Sequence, residues 1–468
     1  NAQAEGLLEV YEQAEANAPG LKAAAANFQA DQEIKDQAEA LLLPNIGANA
    51  SANRNFDLAG QEGEDFDNND INVNLRQTLY NRQFLIQNEQ ADTLVDQAEA
   101  EFVSIQQNLV LDTAQRYFAV LSAVDDLSFA KAELEAIDRQ LEQAQRRFEV
   151  GLITITDVYE AQARYDLALT EIIRARNQLA DTLEALAELT GQYYDTLQGI
   201  GEDKLPLELP EPSDLDFWVE QALRANPDLV GAVFGVEAAR DTIALRRAER
   251  YPRVDLVGNY NTGDDTRDFG GGFRQGATVG VQVNVDIFEG GAISSRTQEA
   301  AYRFEAAKQT LEAQQRDVTR QTRNAYRNIV TSISSVNALE QARVTNLSAL
   351  EATEAGFDVG TRTIVDVLDA QRELFRARRD FSQARYTYLL NRLSLARAAG
   401  QLDEEELGRL AQWLDEPIAV IPEPQELNPA REPVVPREFQ RIEAPVLPDD
   451  PLLPLPSLPE TDLLPPLD

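Results

Sequence analysis

From Ala277 to Ile287 the chain alternates strictly. Ala277, Val279, Val281, Val283, Val285 and Ile287 fall on one side, and Thr278, Gly280, Gln282, Asn284 and Asp286 on the other. A period of two is the signature of a β-strand with one apolar and one polar face. The stretch "INVNLRQTLY" repeats it, with Ile71, Val73 and Leu75 set against Asn72, Asn74 and Arg76. The stretches leading into these strands, "DLAGQEGEDFDNND" and "TGDDTRDFGGGFRQG", are acidic and glycine-rich, as turns are. The pattern predicts two β-hairpins, at 45–80 and 252–288.

Elsewhere the period is helical. Residues 83–149 contain neither proline nor glycine. Their apolar positions step by three and four through Val95, Ala98, Phe102, Ile105 and Leu109. The seam resumes through Val110, Ala114, Tyr117, Leu121 and Val124, and again through Leu134, Ile137, Leu141, Ala144 and Phe148. Heptads of this kind mark coiled-coil packing. At 1.5 Å per residue the helix is on the order of 100 Å long. A second long helix is predicted at 292–355, and shorter ones at 21–42, 155–190, 228–250 and 364–399. Pro44 and Pro252 end the helices that precede the hairpins, because proline lacks an N–H and drives its neighbour extended.

The chain is written twice. "FEVGLITITDVYEAQ" from Phe148 and "FDVGTRTIVDVLDAQ" from Phe357 agree at nine of fifteen positions. Pro19 faces Pro227, and Pro44 faces Pro252, with little drift of register. This divides the chain into a first repeat at 1–208 and a second at 209–415. Residues 416–468 form a tail expected to be extended or disordered, since fourteen of the 21 prolines lie there.

Composition then removes whole classes of function. There is no Cys, His or Met. That excludes thiol nucleophiles, Ser-His-Asp triads and the usual zinc cages, so no enzyme, metal site or cofactor is expected. The net charge of −38 argues against nucleic acid and suits cations, a basic partner or solubility in salt. No apolar run is long enough for a transmembrane helix. Residue 1 is Asn and no signal-peptide pattern precedes the first helix, which reads as a processed mature chain.

Strands of nine to eleven residues with one apolar face are of the length that spans a bilayer, though a small soluble sheet has the same pattern. Open edges do not survive in lipid, and four strands cannot close. Two copies would supply eight strands and three copies twelve. Two readings therefore stand: a membrane barrel closed by several chains, or a soluble elongated coiled-coil scaffold.

The repeated corner carries the candidate chemistry. Thr154 with Asp157, and Thr363 with Asp366, have capping-box spacing. Gly151 and Gly360 suit helix ends. Capping leaves Glu160, Arg362 and Asp369 unexplained. Asp366 and Asp369 share one helical face, and a carboxylate pair could act as acid and base. No aromatic platform for a sugar lies beside it, which sets the hydrolase reading aside.

Residues 5 to about 415 resemble the TolC family of trimeric outer-membrane efflux ducts of Gram-negative bacteria. The resemblance rests on the run from Tyr117 to Val158, on "FEGG" at 288–291, and on the run from Glu354 to Leu393. It implies a mixed α and β fold, a twelve-stranded transmembrane barrel with four strands per chain, continued by a periplasmic α-helical barrel. It implies an outer-membrane exit duct for tripartite multidrug efflux and type I secretion. The implied partners are two further copies, a periplasmic adaptor, an inner-membrane RND or ABC transporter, and outer-membrane lipid.

The resemblance also assigns roles at the corner. Asp366 and Asp369 match a cation-binding carboxylate ring at the periplasmic entrance. Arg362 matches a residue that bonds those at Thr156 and Asp157 and holds the resting tube closed. Val150, Gly151 and Leu152, with Val359, Gly360 and Thr361, match the tips that meet the adaptor. Phe357 stands where the family has a gate tyrosine, so one hydroxyl link is missing. Glu160, the first-repeat counterpart of Asp369, would make the entrance more acidic. The expectation is a duct held closed less firmly and blocked more readily by multivalent cations.

Overall fold

The structure, a computed structural model, describes residues 4–56, 65–201, 205–266 and 271–420. The hairpin tips at 57–64 and 267–270, and the tail from residue 421, lie outside the described residues. The elements run α1 (Leu7–Asn17), α2 (Pro19–Ala40), β1 (Asn45–Asn55), β2 (Phe66–Tyr80), α3 (Arg82–Glu149), α4 (Ile155–Thr190), β3 (Thr196–Ile200) and α5 (Leu215–Ala225). Then come α6 (Pro227–Ala248), β4 (Arg253–Asp265), β5 (Arg274–Asn284), α7 (Ala292–Asp358), α8 (Ile364–Ala398), α9 (Glu404–Ala411) and β6 (Leu414–Ala419).

Several boundaries differ from the sequence reading, each for a local reason. The helices expected at 21–42 and 228–250 begin earlier, at Pro19 and Pro227, where proline occupies the first turn and loses no hydrogen bond. The helix expected at 292–355 runs on to Asp358, stopping only where Gly360 takes φ 81°. The hairpin expected to reach 288 ends at Asn284, because that residue pairs with Arg253, the first residue of β4. Beyond it Val285 and Ile287 keep the alternation but have no strand beside them. The tail expected from 416 begins later, since residues to Ala419 form β6, antiparallel to β3.

The two hairpins join into one antiparallel sheet in the order β1-β2-β4-β5. Ile71 pairs with Ala50 on one side and Thr262 on the other. Among the described residues the outer side of each edge strand, β1 and β5, is unpaired. The apolar face predicted from the alternation is exposed in a single chain: Val279 is 79% and Val281 62% accessible.

Below the sheet the two long helices, α3 and α7, are flanked by the shorter ones. Helix α3 packs against α2 and α6 near the sheet and against α4 and α8 further down; α7 packs against α6 and then α8. The largest buried cluster lies midway. Tyr117, Phe118, Leu121, Tyr388, Leu389 and Leu393 fill it, with Leu7, Leu186 and Leu197 from the short elements. The Tyr117 hydroxyl donates to the Gln198 carbonyl at 2.5 Å, tying β3 to α3. Tyr386 stacks on Phe118 at 5.7 Å and donates to Asp125 at 2.9 Å. Burial pushes the Asp125 carboxyl above its usual range.

The seam read through Val95, Ala98, Phe102, Ile105 and Leu109 needs correction. Ile105 is 41% exposed, while Ser104 and Gln107 are buried. Helix α3 is packed on more than one flank, so a single apolar stripe does not describe it. Phe102 stacks on Phe28 of α2 at 5.4 Å. Ser104, by contrast, donates to Asp228 of α6, and Arg397 of α8 bonds both Ser104 and Asp228 at 3.0 Å. A polar knot thus sits where three helices meet.

Candidate functional site

The far ends of the helical hairpins hold the two repeated corners. Each long helix stops on a glycine in the left-handed region, Gly151 at φ 77° and Gly360 at φ 81°. An L side chain is strained there, which explains the glycine in both copies. The N–H of Leu152 donates to the Arg147 carbonyl at 2.9 Å, and that of Thr361 to Gly356 at 2.8 Å, closing the two turns alike.

The next helix then starts on a capping box. The Asp157 carboxylate accepts from the Thr154 N–H at 2.8 Å, and Asp366 from the Thr363 N–H at 2.8 Å. Thr154→Ala is expected to destabilise the start of α4 by about 1 kcal/mol. Faster amide exchange confined to its first turn would report the loss. The Thr363 backbone and hydroxyl, with Arg362 nearby, hold the Asp366 carboxyl below its ordinary range. Its stabilising contribution is therefore present above the ordinary value of 3.8 and fades as pH falls through the lower folded value. Amide exchange at the start of α8, followed into acid, checks that sign.

Asp369 is already paired. Arg164 of α4 reaches it at 3.1 Å and Arg372 at 3.5 Å. Glu160 is half-buried on α4, one turn before Arg164. Arg362 folds over its own corner, where a Cβ on Gly356 would come within 2.8 Å of its Cγ. Among the described residues it makes no hydrogen bond to Thr156 or Asp157 of the same chain. The Asp157 carboxylate is occupied by its own helix start.

The residues that do join the two corners within a chain are ones the sequence reading missed. Arg147, in the last turn of α3, bonds Asp358 of α7 at 3.2 Å. Its guanidinium also lies over the Phe357 ring, 4.3 Å from the centroid. Arg164 and Asp369 make the matching link between α4 and α8. The partners stand more than 200 residues apart, and an arginine closing a helix reads first as a complement to the helix dipole. Beyond these links the tips are apolar and bare: Val150, Leu152 and Val359 are each 70% or more exposed.

Among the described residues no helix is long and apolar enough to cross a membrane, and no group of acids is arranged to hold a metal ion.

The outer membrane efflux protein family matches residues 10–192 and 218–401. The outer membrane protein TolC of Vibrio cholerae is 40% identical over 86% of this chain and 92% of its own length. The alkaline protease secretion protein AprF of Pseudomonas aeruginosa is 28% identical over 88% of both chains. The solved structure of the outer membrane protein VceC from Vibrio cholerae has the same fold, at a TM-score of 0.69 and 21% identity. It covers 84% of this chain and 96% of that one. Matched along both halves, the chain belongs to the outer membrane efflux protein family, whose members are outer-membrane channels rather than enzymes, and is itself an outer-membrane efflux duct.

Proposed function

We propose that three copies close side by side, their twelve strands forming a transmembrane barrel and their helices a periplasmic tube. The chain then works as two repeats, 1–208 and 209–415, set side by side in the wall. The observation that carries this is the open sheet. Strands β1 and β5 leave both edges unpaired, and the apolar face is bare, a combination that lipid permits only in a closed barrel. Family membership sets aside the soluble scaffold.

The duct does no chemistry. It gives substrates a water-filled exit for tripartite multidrug efflux and for type I protein secretion; the name of AprF, a protease secretion protein, supports the export of proteins. Energy comes from an inner-membrane RND or ABC transporter, joined through a periplasmic adaptor. The bare tips Val150–Leu152 and Val359–Thr361 are suited to seat that adaptor. Asp366 and Asp369 from three chains bring six carboxylates to the entrance, where a cation relieves their repulsion. Glu160 deepens that charge. Arg362, directed at Thr156 and Asp157 of a neighbouring chain, holds the entrance closed.

Phe357 cannot add a hydroxyl link to this gate. Its ring under Arg147 joins α3 to α7 only within the chain. Phe357→Tyr is expected to lower the resting conductance in planar bilayers; an unchanged or raised conductance removes Phe357 from the gate. For the assembly itself, the protein should leave membranes only in detergent and weigh three chains by light scattering. Release of a monomer by salt alone would overturn the barrel.

A further inference from the structure

The two repeats carry an unequal seam. Phe357 stands 209 residues after Phe148, and the same offset relates α3 to α7 and α4 to α8. Within the chain α3 packs against α8, and Phe118 meets Tyr386 directly, ring on ring at 5.7 Å. One row of this seam is Gln107, Leu111, Ala114 and Phe118 on α3. Continuing antiparallel from the Phe118–Tyr386 contact, the α8 row at the same spacing is Arg397, Leu393, Leu390 and Tyr386; Arg397 bonds Ser104 and Asn108, on either side of Gln107, and both rows are buried or half-buried.

Moving each residue by 209 positions gives the corresponding rows on the other members of each pair. On α7 they are Arg316, Arg320, Arg323 and Arg327. On α4 they are Glu188, Glu184, Asp181 and Asn177. All eight are exposed. The α7 row holds four arginines within twelve residues of a chain whose net charge is −38; between Asn177 and Glu188 there is no basic residue. The two rows share one spacing, run antiparallel, and oppose each other in charge. The arginines line a groove beside Leu223 of α5.

Local partners do not remove these charges from the surface. Arg316 bonds Glu312, Arg320 bonds Asp317, and Arg327 bonds Asn324, all on the same helix. Arg116 reaches Glu188 at 2.9 Å, Tyr193 donates to Glu184 at 2.9 Å, and Asn177 donates to Asp181 at 3.0 Å. Exposed pairs of this kind contribute little and exchange readily for better ones.

We propose that the arginine row of α7 docks on the acidic row of α4 in a second copy of this chain. The register is that of the α3–α8 seam: Arg316 on Glu188, Arg320 on Glu184, Arg323 on Asp181 and Arg327 on Asn177. The joint inside a chain is mostly apolar and polar only at its Gln107–Arg397 end, whereas the joint between chains is charged throughout its basic row. A charged joint selects partner and register in the way flanking charges do in coiled coils. It keeps α7 off the apolar α8 of a second copy, so the ring alternates correctly. This inference rests on the proposed side-by-side closure of copies.

The absence of cysteine makes the test clean. Glu184→Cys with Arg320→Cys in the same chain should, on mild oxidation, give disulfide-linked dimers and trimers on denaturing gels. Glu184→Cys with Arg327→Cys, about two turns out of register, should not, because its Cα atoms would stand too far apart. Arg320→Glu/Arg323→Glu should lower the assembled fraction about tenfold in low salt. Adding Asp181→Arg/Glu184→Arg should restore it. Trimers by mass that link equally in both registers, or that ignore the charge reversals, would overturn the seam and leave the closure of copies standing. A monomer by mass in the unsubstituted chain would overturn both.

Discussion

Tyr388→Ala is expected to destabilise the chain by about 3–5 kcal/mol, the range for removing a large aromatic side chain from a core. Tyr388 has no exposed surface and lies in the midway cluster beside Leu389 and Leu393. Its hydroxyl lies 3.1 and 3.0 Å from the carbonyls of Pro206 and Glu208, which share its one proton, and accepts from the Glu208 N–H at 3.0 Å. These bonds pin the segment that links the two repeats onto α8. Alanine leaves a cavity and unpairs those backbone groups together. Tyr388→Phe keeps the packing and loses only the bonds, so about 1–3 kcal/mol is expected from the unsatisfied groups. Denaturant unfolding in detergent, followed by circular dichroism, separates the two. Equal losses in both variants would mean that the hydroxyl alone matters.

The second large effect lies in the sheet. Val281→Arg should block membrane assembly, since arginine on the lipid face costs about 2–4 kcal/mol near mid-bilayer in each copy. Gln282→Arg, one residue further and on the opposite face, should assemble and alter ion conductance instead. Val281 is 62% exposed and pairs with Leu256, while Gln282 pairs with Asp255. Membrane flotation and single-channel recording read the two variants. Normal assembly of Val281→Arg with failure of Gln282→Arg would reverse the faces assigned from the alternation.

How much of this was legible depended on how local each signal is. The long runs of α3 and α4 could be read because no proline or glycine interrupts them and because both corners repeat. The strand alternation was equally plain, yet it could not show where β5 ends. That point is set by where β4 begins, at Arg253 opposite Asn284. Helices α1, α5 and α9 and strands β3 and β6 went unread. They are short, and tertiary contacts such as Tyr117 on Gln198 hold them in place. At the corner, the caps and glycines are local and were visible. The arginines that join the corners, Arg147 and Arg164, depend on which helices become neighbours, and a linear pattern does not carry that. The repeat offset was visible in the two corners, but the α7 and α4 rows stand out only once the packing of α3 on α8 shows which residues to carry across it.

The corner acids hold the central claim, an acidic entrance to a membrane duct. The most direct measurement is single-channel conductance in planar bilayers with hexamminecobalt added on the side of the helix tips. The unsubstituted protein should form discrete channels that the trivalent cation blocks from that side. Asp366→Ala/Asp369→Ala should conduct and resist the block. Equal block in both proteins, or block from the opposite side alone, would contradict the account.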